Sequence, residues 1–234
     1  MTAADWITLV IAVATIGSLL FAAYNLRATT QANKTLKRAD VAMHCTIRYE
    51  ELKTLASGLE QRFRDQPSKP NIPEAQLEET EKLRDLLWRN YYSRYWALKS
   101  DQFDFWLYGL VEHGTFLDWT FSTALAHWKE DPNRPLRPTC PFSFHDSWKK
   151  WKSMDHGPVN PQFVRFTDQL FLTVERDSQT GPQPFGVLGV IKRFHGSPSS
   201  PGVSRRLQKL AFKGVSLEEL ERILLDASTQ GPLS

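Results

Sequence analysis

Apolar positions along the chain follow three successive patterns. The first is continuous: between Asp5 and Arg27 the stretch WITLVIAVATIGSLLFAAYNL holds 21 residues without a charge. A helix rising about 1.5 Å per residue covers roughly the 30 Å of a bilayer core over such a length. The second is periodic, with Leu36, Val41, Ile47, Leu52, Leu55, Leu59 and Phe63 recurring at helical spacing until PSKPNIP interrupts it. The third is aromatic: Trp88, Tyr91, Tyr92, Tyr95, Trp96, Phe103, Phe105, Trp106 and Tyr108 fall in a stretch without proline or glycine from Glu74 to Tyr108.

These patterns predict an all-α chain. Residues 1–27 read as a short external tail and a transmembrane helix, which continues as a juxtamembrane helix over 28–66. A secretory signal fits less well, because Met1 to Asp5 lack a basic residue and the run exceeds the usual core of about 7 to 15 residues. A buried core helix would carry a polar face, whereas Thr8, Thr15 and Ser18 are small hydroxyls able to bond back to their own helix. Arg27, Lys34, Lys37 and Arg38 follow the run, so the positive-inside rule puts the N-terminus outside and the rest in the cytoplasm. The expected localisation is a bacterial inner membrane with a single span. Ala14, Ser18 and Ala22 repeat every four residues and make a narrow small-residue face. Such a face admits another membrane protein or a second copy of the chain, and it is also ordinary composition for a span.

Residues 73–177 read as a helical bundle around the aromatic stretch, with Pro73 opening its first helix. That helix is either continuous or broken near Ser100. Thr115 with Asp118 offers one further cap, Ser143 with Asp146 a second, and Asn160-Pro161 a third. Residues 178–202 are rich in Gly, Pro and Ser and read as a connection, with VLGVI as a short extended piece. Residues 203–228 form a helical hairpin in this reading. Gly214 stops its first helix, Ser216 and Glu219 form a capping box, and Val215 and Leu220 form a hydrophobic staple.

The pattern LQKLAFKGVSLEELERILL resembles the two-helix modules that end many bacterial membrane-associated proteins. That resemblance implies an oligomerisation or contact role and no chemistry. The N-terminal run, its basic flank and RNYYSRYWALKSDQFDFWLYGLV together are similar to bacterial single-pass, membrane-anchored helical proteins of uncharacterised function. This second resemblance implies an accessory or defence-associated protein and transfers no catalytic residue.

Composition alters the picture little: 41% hydrophobic and 24% charged residues belong to a folded chain, and a net charge of +3 is too small to imply a polyanionic partner by itself, its distribution mattering more than its sum. Cys45 and Cys140 match no metal spacing and are expected reduced. The aromatic residues read mainly as a helix touched on several sides. The sharper alternative is a pocket assembled from Arg89, Arg94, Trp96, Asp101, Asp104 and Trp106, where the arginines grip an anion or stack on rings. The acids equally suit structural ion pairs. Histidines and acids adjoin at His127 to Asp131, His145-Asp146 and Asp155-His156, but no Glu-x-x-His or HExxH frame is present, so no metal is expected. Nucleophile elbows, P-loops and dinucleotide turns are also absent, and no cofactor is expected. Lys192, Arg193, Arg205, Arg206, Lys209 and Lys213 form a basic run without an acid, suited to a solvated face or to anionic lipid. Without stacking motifs it argues against nucleic acid. The favoured function is a membrane-tethered scaffold or accessory subunit acting by protein–protein interaction. An enzyme or nucleic-acid effector with a pocket in the aromatic bundle is the alternative.

Overall fold

The computed structural model describes residues 3–64, 74–129, 136–154, 160–176 and 181–195, together with Glu218, Glu219, Glu221, Arg222 and Leu225, and excludes the side chains of 3–14 and 74–75. Among the described residues it is all-helical, with no strand. The elements are α1 (Ala3–Arg64), α2 (Glu74–Leu107), α3 (His113–Trp128), α4 (Phe144–Ser153), α5 (Pro161–Arg176) and α6 (Pro184–His195). The chain divides into two compact units, Met1–Ala42 and Met43–Ser234.

The first unit is helical backbone of α1. Ile16, Leu19, Leu20, Phe21, Tyr24 and Leu26 stand 58–71% exposed along it. Among the described residues, no helix is long and apolar enough to cross a membrane. The expected single-pass inner-membrane localisation is corrected accordingly. From Thr15 onward the helix meets Asn25, Arg27, Gln31, Asn33 and Lys34 before an 18-residue apolar window accumulates. The side chains of Trp6 to Ala14, the earlier half of the uncharged run, lie outside the described residues.

The second unit is built around α2, which is one continuous helix through Ser100. Its rings turn to several neighbours because they are distributed around the helix. Trp96 meets Phe144 and Trp148 of α4 at 5.0 and 4.9 Å between ring centroids, and Phe171 of α5 at 6.2 Å. One turn and more along, Phe103 meets Phe116 of α3, Phe163 and Phe166 of α5 and Phe194 of α6. Trp88, Trp96, Phe103, Trp106 and Trp148 are fully buried. Edge-on and offset pairs of this kind add about 0.5–1.5 kcal/mol each beyond area burial.

α2 ends in a Schellman turn. Gly109 takes φ 70°, its N–H donates to Trp106 O at 3.0 Å, and Leu110 N–H donates to Phe105 O at 2.9 Å. Two of the three expected caps are made: Asp146 N–H donates to Ser143 Oγ at 2.9 Å, and Gln162 N–H donates to Asn160 Oδ1 at 2.9 Å ahead of α5. The third is not. α3 starts at His113, after Glu112, which makes no side-chain cap, and Thr115 lies inside the helix. A tertiary bond holds that start, because the Trp106 indole N–H donates to His113 Nδ1 at 3.0 Å.

The extended piece expected at VLGVI is instead part of α6. Gly186 and Gly189 each disfavour a helix by about 1 kcal/mol. Burial of Val187, Leu188, Val190 and Ile191, all 2% exposed or less, outweighs this at about 1.5–3 kcal/mol per side chain. Pro184 sits at the first helical position, where its missing N–H is harmless. Pro73 and most of the expected hairpin over 203–228 lie outside the described residues.

Candidate functional site

The six residues of the expected pocket lie along α2 but are each engaged separately, two within the helix and four with other parts of the chain. Arg89 pairs with Asp85, and Arg94 donates from Nε to Asn90 Oδ1 at 3.1 Å. Trp96 donates to Ser147 Oγ at 3.0 Å. Asp101 pairs with Arg48, Asp104 accepts from the Asn160 amide, and Trp106 donates to His113. Trp96 lines a cavity of about 20 Å³ between α2, α3 and α5, and Arg94 lines a separate cleft of about 140 Å³ with Arg48, Glu51 and Leu55. The first holds about one water molecule. Of the basic run, Lys192 pairs with Glu221, whereas Arg205, Arg206, Lys209 and Lys213 lie outside the described residues. On the small-residue face Ser18 and Ala22 are exposed, and the Ala14 side chain is outside the described set.

Three polar clusters formed between helices have no marker in local sequence spacing. Lys99 is only 9% exposed and lines the small cavity beside Gln102, Thr120, Thr123 and Thr167. Its ammonium donates to Trp119 O at 3.3 Å and sits 5.5 Å from the Tyr95 ring centroid. Burial pushes Lys99 down to about 8. Gln102 Oε1 is buried there without a hydrogen-bond partner. Nearby Cys45 is 1% exposed, and burial raises its thiol, so it is a protonated, inaccessible group rather than an activated nucleophile.

The second cluster joins α2, α3 and α6. His113 is 3% exposed, and its ring lies 4.6 Å from that of His195, edge to face. Burial, and then the neighbouring His195, push His113 down to about 4. The neutral imidazole is the form that fits, since Nδ1 must keep its lone pair for the Trp106 N–H.

The third cluster brings together His127, in the last turn of α3, His145, in the first turn of α4, and Glu175, in the last turn of α5. One ligand atom from each lies within 4.8 Å of the others. His127 Nε2 is 3.5 Å from Glu175 Oε1. The His127 ring stacks on Phe171 at 4.0 Å and 12°, and lies 5.2 Å from the His145 ring. Burial, followed by His145, lowers the His127 pKa; burial, followed by Lys149, lowers that of His145. Adjacent residues had suggested the His127–Asp131 and His145–Asp146 neighbours. The fold instead unites residues from three helices, which no local spacing reveals.

No family model, curated protein or solved structure matches the chain.

Proposed function

We propose that this protein is a helical accessory protein that acts by protein–protein interaction, and that its α1 helix pairs with α1 of a second copy. The observation that carries this reading is the exposed run on α1. Ile16, Leu19, Leu20, Ala23 and Leu26 recur at intervals of three and four, one face of a helix, with Tyr24 beside them. The large members of this set are 58–71% exposed. Contiguous apolar surface of this kind on a folded chain marks an interaction site. Covering each such side chain contributes about 1.5–3 kcal/mol.

A thiol introduced by Ala23→Cys, at the centre of that face, tests the pairing. The natural thiols do not compete, because Cys45 and Cys140 are 1% and 8% exposed. The expected result is a disulfide-linked dimer of the full chain under mild oxidation. A chain that stays monomeric in that experiment, or that partitions into lipid vesicles as a monomer, overturns the reading.

A further inference from the structure

We infer that His127, His145 and Glu175 form a binding site for a divalent transition-metal ion, Zn²⁺ foremost. Two imidazoles and one carboxylate are a donor set that suits such ions and leaves a fourth position for water. The three residues come from the ends of three helices, so packing fixes their relation before any ion arrives.

The geometry needs little adjustment. In a tetrahedral zinc site with bonds of about 2.0–2.1 Å, ligand atoms stand about 3.3 Å apart. His127 Nε2 and Glu175 Oε1 are already at 3.5 Å, and the widest separation within the set, at most 4.8 Å, is within reach of the Glu175 side chain, which is 54% exposed. His127 is the fixed member: its side chain is 10% exposed and its ring is clamped against Phe171.

The surrounding charge is compatible with a cation. His127 and Glu175 sit in the last turns of α3 and α5, where helix dipoles present their negative ends, against the one N-terminal turn of α4. The ammonium groups of Lys152 and Lys149, which act on His145, are paired: Lys152 donates to Asp168 at 2.9 and 3.1 Å, and Lys149 lies 3.9 Å from Asp146.

The test uses the full chain, purified through a tag without histidine and stripped with chelator. Zn²⁺ is measured by equilibrium dialysis, and Co²⁺ by its visible absorption. The expected result is one Zn²⁺ per chain and the intense visible bands of tetrahedral Co²⁺. Glu175→Gln and His145→Gln each weaken binding at least tenfold with unchanged circular dichroism, and His195→Gln leaves it unaltered. Both ligand variants are at partly exposed positions, so folding is preserved even where a change at His127 would disturb it. Retention of Zn²⁺ by the folded Glu175→Gln/His145→Gln double variant, or no retention by the parent chain, overturns the inference.

Discussion

Replacing His113 by asparagine removes a buried titrating group while leaving an acceptor for the Trp106 indole N–H. In the unfolded chain a histidine takes up its proton near 6.5, whereas in the folded protein burial and His195 hold His113 down to about 4. Between those values the unfolded state binds more protons than the folded one, so stability falls as pH falls through this window. At about 1.4 kcal/mol per pH unit, the gap corresponds to about 3 kcal/mol, complete once both states are protonated. Because His113 is 3% exposed, solvent screening takes little from this figure. Urea unfolding, followed by tryptophan fluorescence from about pH 7.5 down to about pH 4 with chelator present, reads the effect directly. His127, His145 and His195 are shifted the same way and contribute to both proteins, so the difference between parent and variant isolates His113. The expected result is a shallower acid loss in His113→Asn, by up to about 3 kcal/mol across the window. Equal slopes in the two proteins would refute the reasoning.

Two further substitutions follow from the same packing. Lys99 loses stability for the fold at neutral pH because its charge is desolvated and its folded pKa, about 8, lies below the usual 10.5. Lys99→Met should therefore raise stability at pH 7 by about 1–3 kcal/mol, and should abolish the rise in stability expected for the parent between pH 8 and 10.5; a less stable variant contradicts this. Ser143→Ala removes the cap bond to Asp146 N–H at the start of α4 and should cost about 1 kcal/mol in the same denaturation assay, with no loss if the bond contributes nothing.

Legibility in the sequence tracked how local the determining physics was. α2 was readable because an uninterrupted aromatic stretch without proline or glycine permits little else, and its contacts with α3, α4, α5 and α6 follow from rings placed around the helix. Ser143 and Asn160 announced α4 and α5 through caps made within three residues. α6 was hidden because Gly186 and Gly189 oppose helix by propensity, while its stabilisation comes from burying Leu188 and Ile191 against distant parts of the chain. The histidine clusters were hidden for a related reason. His113 meets His195, and His127 meets Glu175, only after α3, α5 and α6 have packed. The uncharged run between Asp5 and Arg27 was the strongest signal by length, yet the described residues contain no helix long and apolar enough to cross a membrane.

Association through α1 is tested most directly by sedimentation velocity on the full chain, in mild detergent to suppress nonspecific aggregation, beside a Leu19→Arg/Leu20→Arg variant. Both leucines are more than 60% exposed, so the change leaves the buried core untouched. The account predicts a concentration-dependent dimer for the parent and a monomer of the same helical content for the variant. A parent chain that remains monomeric at every concentration, or a variant that dimerises as well as the parent, would contradict it.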